Sequence, residues 1–130
     1  STLGLTVNSF SSVSLDPPLV SWCLANDSDM TTRFADAKRF CVNILSAKQE
    51  ELSNAMARPG THELELCHIK ASASGDKRIL GALAHFDCRV HERIEAGDHI
   101  IYIGYVEDAD CAETQTAPLL YFRGGYAGLA

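Results

Sequence analysis

The sequence predicts a mainly β fold, an antiparallel barrel with one or two short helices, built as a single domain over residues 1–130. Three observations point there. β-branched and aromatic residues cluster in short runs set off by Gly, Pro, Asn and Asp, as strands between turns do. Between Ala84 and His91, apolar Ala84, Phe86, Cys88 and Val90 alternate with His85, Asp87, Arg89 and His91, so one face is core and the other meets solvent or a partner. Many short antiparallel strands with few helices favour closure, because closure removes exposed edges.

Strands are expected near 3–10, 11–15, 19–25, 40–45, 62–69, 80–93, 98–108 and 118–123. The run from Leu5 to Val20, LTVNSFSSVSLDPPLV, sets small polar side chains between two apolar stretches and closes on Asp16, Pro17 and Pro18. Proline fixes its own torsion and removes a donor, so the ladder stops there and resumes at Leu19. A short helix is expected from Thr31 to Arg39, capped by Asp29 or Thr31. A longer one runs from Ser46 to Ala57: Ser46 and Gln49 form a capping-box signature, Leu52, Ala55 and Met56 make an apolar stripe, and Arg58, Pro59 and Gly60 end it. Glu95, Ala96, Gly97 and Asp98 provide a hairpin turn, and the return strand HIIYIGYVED is apolar at almost every position, which predicts burial on both faces.

Composition narrows the function. Cys23, Cys41, Cys67, Cys88 and Cys111 are odd in number, widely spaced and never in a CxxC pair. They read as small buried hydrophobes in a reducing compartment rather than as a zinc site or a disulfide framework. A net charge of −6 without clustered Lys and Arg argues against a nucleic-acid partner. No apolar stretch approaches the ~20 residues of a membrane span, so a cytoplasmic protein without a membrane partner is expected. Nucleophile elbow, P-loop, GxGxxG and metalloprotease helix all fail at their spacing. His85 and His91 stand among charges on a strand, and no metal site is expected. A chain without its own acid/base or nucleophile set suits chemistry that a flavin performs.

Four segments carry candidate binding groups. Asn8, Ser9, Ser11, Ser12 and Ser14 offer amide, hydroxyl and main-chain donors that suit the edge of a heteroaromatic ring, or an ordinary Ser-rich loop. Asn26, Asp27, Ser28, Asp29, Thr31 and Thr32 lead into a helix and suit either a phosphate, which the aspartates disfavour, or simple capping. Asn43 to Ser46 leads into the second helix and divides the same way. In PLLYFRGGY, Tyr121, Phe122 and Tyr126 suit ring stacking and Arg123 suits an anion, against a plain strand with a glycine turn. His99 suits a ligand or a carbonyl equally.

Taken in order, LTVNSFSSVSLDPPLVSWCL, FCVNILSAKQEELS, LGALAHFDCRVHERIEAGDHIIYIGYVED and PLLYFRGGY resemble the flavin reductase family, the small reductase components of two-component flavin-dependent monooxygenases. The resemblance covers nearly the whole chain. It implies an FMN-binding split β-barrel that holds FMN or FAD non-covalently, forms a homodimer with the flavin near the subunit interface, and reduces flavin by hydride transfer from NADH or NADPH. The reduced flavin then passes to a partner oxygenase. By motif, Val7, Asn8, Ser9, Phe10, Ser11 and Ser12 would hold the isoalloxazine edge. Asn26, Asp27 and Ser28 with Thr31 would take the ribityl phosphate region, Asn43, Leu45 and Ser46 would contribute from the adjoining loop, and His99, Arg123, Gly124, Gly125 and Tyr126 would border the nicotinamide.

Members of that family normally carry an amino-terminal helix and a first barrel strand before the segment that begins here at Thr2 or Leu3. Neither is visible, and a fragment or processed form is expected. Two other readings stand beside the reductase: a split barrel that holds flavin for electron transfer without turning over a nicotinamide, and a pyridoxamine-phosphate-oxidase-like protein, which wants a basic phosphate pocket where this chain is acidic. For the 2′-phosphate of NADPH the sequence offers only Lys77 and Arg78, and NADH is the expected donor.

Overall fold

The computed structural model describes residues 3–58, 60, 64, 69–71, 77–111, 119–122 and 125–128. In chain order its elements are β1 (Ser11–Leu15), β2 (Pro18–Ala25), α1 (Thr31–Ala35), β3 (Arg39–Ile44), a 3-10 turn (Ala47–Gln49) continuing into α2 (Glu50–Ala57), β4 (Ile69–Ala71), β5 (Lys77–Ile79), β6 (Ala84–Ala96), β7 (His99–Cys111), β8 (Leu119–Phe122) and β9 (Gly125–Gly128). Five strands form one antiparallel sheet in the order β1-β2-β7-β6-β3, and β4-β5 and β8-β9 are separate hairpins. The mainly β class with few short helices is as expected. Among the described residues no helix is long and apolar enough to cross a membrane.

Period-two alternation builds the core. Val20, Trp22 and Leu24 of β2 are buried and stand opposite Gly104, Tyr102 and Ile100 of β7. The Trp22 and Tyr102 rings stack at 4.7 Å, with Phe34 and Phe40 edge-on to Trp22 at 5.0 and 5.7 Å. Leu3, Leu5, Val7 and Val90 pack around this cluster. Gly104 is needed where it stands, since a Cβ would fall 2.4 Å from Phe40 Cζ. α1 is held at its end by Arg93, whose guanidinium donates to the carbonyls of Phe34 and Ala37 and lies 5.3 Å over the Tyr102 ring. The Phe34 carbonyl also accepts the Asp36 and Ala37 N–H groups, so Arg93 adds to a helix end already closed by backbone bonds.

Several expectations need correction. Residues 3–10 form no strand beyond a bridge at Leu3 and bend at Asn8. The β1-β2 register, Ser11 opposite Ser21, would continue as Ser9 opposite Cys23. There the Ser9 hydroxyl replaces its backbone, accepting the Cys23 N–H at 2.8 Å and donating to the Cys23 carbonyl at 3.5 Å. α1 stops at Ala35 rather than Arg39, because Lys38 accepts the Val90 N–H at 2.8 Å and Arg39 pairs with Arg89, drawing the chain into β3. Its cap position is Met30, not Asp29 or Thr31. Ser28 Oγ accepts the Met30 N–H at 3.1 Å, and Asp29 accepts the Gly60 N–H at 2.5 Å instead.

The second helix begins with a 3-10 turn, and Ser46 and Gln49 do form the capping box, the Ser46 N–H donating to Gln49 Oε1 at 3.0 Å. β2 resumes at Pro18 rather than Leu19, the turn is the two residues Gly97 and Asp98, and the hairpin strand is Ala84–Ala96, not 80–93. Ala71 closes β4, so the strand expected over 62–69 overlaps it only at Ile69, and 62, 63 and 65–68 lie outside the described residues. β7 is not buried on both faces: Tyr102 and Gly104 are buried, while Ile101, Ile103 and Tyr105 on the outward face are half-buried. On β6 the polar face does not simply meet solvent, because His85 and Asp87 are buried.

Candidate functional site

The expected site residues fall into two groups that meet at β2. In the first, Ser9 binds Cys23 while Thr6 Oγ1 donates to the Ser53 carbonyl at 2.6 Å, so the segment between them is anchored at both ends. The ladder ends at Ser11, which leaves the main-chain N–H groups of Val7 to Phe10 outside the sheet. Asn8, Ser11 and Ser12 are exposed, and the Phe10 ring lies 5.7 Å from that of Phe86 on β6. Since Val42 pairs with Phe86, this segment crosses from the β2 side of the sheet to the β3 side. Asn43, Leu45 and Ser46 follow along β3, and β8 runs beside the Ala47–Gln49 turn. Arg123 and Gly124 lie outside the described residues. Gly125 opens β9 opposite Phe122, and Tyr126 pairs with Tyr121.

Asn43 is already engaged, its side-chain oxygen accepting the Ile79 N–H at 2.9 Å. Ser46 is buried in the capping box. What this group presents outward is therefore the Val7–Ser12 segment: main-chain donors, an amide, two hydroxyls and an aromatic ring. That set suits a flat ligand with a hydrogen-bonding edge.

The second group forms where β2 leaves the sheet. Ala25 pairs with His99, Asn26 N–H donates to the Asp98 carbonyl at 2.9 Å, and Asn26 Nδ2 donates to the Gly97 carbonyl at 3.3 Å. Thr31 Oγ1 donates to the Ser28 carbonyl at 2.9 Å, and Asp27 is exposed. Asn26, Asp27, Ser28, Thr31 and His99 thus stand together, although no single segment of sequence joins them. His99 Nδ1 lies 2.7 Å from Asp98 Oδ1, which places a proton on Nδ1.

The Asp98 carboxyl is held below its ordinary 3.8, first by the hydrogen bond from His99 and then by its charge. A lowered acid contributes stability that is present above its unfolded pKa and lost as pH falls through the folded one, so this contribution disappears only below the usual aspartate range. An NMR titration of the Asp98 carboxyl carbon is expected to show a midpoint under 3.8, and His99→Ala to raise it toward the ordinary value, with the backbone hydrogen bond at Asp98 still lowering it.

One polar cluster was not singled out from the sequence. Arg78 is buried against the fully buried Asp87, with Asp108 and Asp110 completing its fork. The Asp87 hydrogen bond raises the Arg78 pKa against the opposing effect of burial. The signal was in the register: His85 and Asp87 lie opposite Asp110 and Asp108, a row of acids that requires a cation.

The chain is 42% identical, over 95% of its length, to the reductase component of a flavin-dependent trigonelline monooxygenase of Acinetobacter baylyi, of which it spans 39%. It is 40% identical, over 95% of its length, to an FMN reductase (NADH) of Agrobacterium fabrum, of which it spans 70%. Among solved structures it resembles the NADH:FAD oxidoreductase of Streptomyces globisporus in complex with NAD and FAD fragments, at a TM-score of 0.88 and 33% identity, covering 97% of this chain and 76% of that one. The flavin reductase like domain matches residues 1–130, and the chain belongs to that family.

Proposed function

We propose that the protein is an NADH-dependent flavin reductase that binds FMN or FAD without covalent attachment and passes the reduced flavin to a flavin-dependent monooxygenase. The observation that carries this reading is the Val7–Ser12 segment, in which the N–H groups of Val7 to Phe10 lie outside the ladder beside exposed Asn8, Ser11 and Ser12 and the Phe10 ring. Bound there, a flavin supplies the hydride-accepting chemistry that the chain's own side chains lack. Asn8 to Ser12 hold its hydrogen-bonding edge and favour negative charge there, since preorganised N–H dipoles need no reorganisation as charge develops. Asn43, Leu45 and Ser46 support it from the adjoining loop, and Asn26, Asp27, Ser28 and Thr31 border its phosphate-bearing chain. His99, oriented by Asp98, would border the nicotinamide, the role that the motif also assigns to Arg123, Gly124, Gly125 and Tyr126.

Two finer features belong to the same reading. Arg78, one of two cations available to a 2′-phosphate, is consumed by three carboxylates, which favours NADH over NADPH. The outward face of β2, β6 and β7 carries Leu19, Ile94, Ile101 and Ile103, and a second copy of the chain covers it in a homodimer. A cytoplasmic location accords with the thiol of Cys23.

Oxidation of NADH and NADPH, followed with FMN or FAD added, tests the activity. NADH is consumed in a flavin-dependent manner and NADPH more slowly; flavin binding with neither nucleotide consumed supports the electron-transfer reading instead. Analytical ultracentrifugation tests the assembly, since Ile103→Lys converts a dimer to a folded monomer. A dimer that survives the lysine has its interface elsewhere.

A further inference from the structure

The connection from Asn43 to Gln49 takes its shape from a partner segment, Arg78 to Leu83. The Ile79 N–H donates to Asn43 Oδ1 at 2.9 Å, Leu83 N–H to the Ile44 carbonyl at 2.7 Å, and Gln49 Nε2 to the Leu80 carbonyl at 2.8 Å. Gln49 Oε1 simultaneously accepts the Ser46 N–H. His85 Nε2 donates to the Ile79 carbonyl at 2.9 Å from beneath. Gly81, at φ 83, reverses the chain, and a Cβ there would meet Gln49 Nε2 at 3.3 Å.

Arg78 fixes that segment. Its Nε and Nη2 donate to the two oxygens of Asp87 at 3.2 and 2.6 Å, Nη2 also reaches Asp108 at 3.2 Å, and Nη1 reaches Asp110 at 3.2 Å. Asp87 comes from β6 and Asp108 and Asp110 from β7, while Cys41 Sγ of β3 donates to Asp87 Oδ1 at 3.3 Å. One guanidinium therefore references β5 directly to two strands of the sheet, β6 and β7, and through Asp87 to β3. A lysine cannot reproduce this, because a single ammonium lacks the planar fork that meets carboxylates from several directions.

We propose that Arg78 is a positioning residue for flavin binding: its contacts with Asp87, Asp108 and Asp110 hold the Arg78–Leu83 segment in the one placement that shapes the Asn43–Ser46 loop. The inference rests on the flavin reading of that loop. It goes beyond that reading by assigning affinity to a side chain whose guanidinium is spent on ion pairs.

The test compares Arg78→Lys, the charge-balanced double variant Arg78→Met with Asp87→Leu, and the core control Val90→Ala. Flavin dissociation constants come from quenching of FMN and FAD fluorescence, measured where each variant keeps the wild-type circular dichroism. In Arg78→Lys the flavin dissociation constant rises about tenfold, the size of a typical coupling between distant groups. The double variant rises at least as far, and in both the KM for flavin increases while that for NADH does not. Val90→Ala lowers the melting temperature and keeps the flavin affinity. A folded double variant with wild-type affinity overturns the role of Arg78, as does equal weakening by Val90→Ala. Wild-type protein that binds neither flavin overturns the underlying reading instead.

Discussion

Asp87→Ala lowers the unfolding free energy by about 3 kcal/mol, the low end of what breaking a buried ion pair costs when one charge is left behind. Arg78 is 7% exposed and Asp87 is not exposed at all, so neither recovers solvent when the other is lost. Asp108 and Asp110, with side chains 52% and 48% exposed, remain on the guanidinium and keep the cost from rising further. That is a large share of the about 5–15 kcal/mol that holds a domain of this kind together. Removing both charges, as in Arg78→Met with Asp87→Leu, costs less than the single change, since apolar replacement of a buried pair is often near neutral. Urea denaturation followed by circular dichroism decides the matter: equal losses in single and double variants would show that shape, not charge, sets the stability here.

The second large effect is at Trp22, the only tryptophan of the chain. Trp22→Ala removes the ring that Phe34, Phe40 and Tyr102 all touch, and costs about 3–5 kcal/mol as a large-to-small core change. Beside it, Tyr102→Phe costs almost nothing. Among the described residues the buried Trp22 Nε1 and Tyr102 hydroxyl have no hydrogen-bond partner, and deleting an unsatisfied polar group forfeits no bond. Thermal unfolding by circular dichroism separates the two variants. A Tyr102→Phe protein as unstable as Trp22→Ala would mean that the hydroxyl is bonded in solution.

Much of the framework was legible because it depends on local rules. Alternation over Ala84–Val90 reports a strand whatever covers it, and Ser46 with Gln49 forms a box that four residues suffice to build. What escaped depends on segments far apart in the chain. Nothing local says that the Ser9 hydroxyl rather than its backbone meets Cys23, so residues 3–10 read as a strand. His85 and Asp87 looked solvent-facing because their cover, β5, is a strand of three residues, too short to show a period. The proximity of Asn26 to His99 comes from the pairing of β2 with β7, a register that motifs alone do not contain. The resemblance supplied the grouping of candidate residues where residue chemistry left each one divided between capping and binding.

The place of β2 in the sheet bears on how this chain must be made. β2 lies between β1 and β7, with Leu19 opposite Tyr105, so its apolar side waits for a strand encoded more than half the chain later. As the polypeptide leaves the ribosome, the β1-β2 hairpin emerges with Val20, Trp22 and Leu24 uncovered, and an isolated hairpin is at best marginally stable. High contact order of this kind slows folding and prolongs the exposure of unpaired edges. Nascent chains interrupted before Tyr105 are accordingly the species in which β2 is left without its β7 partner.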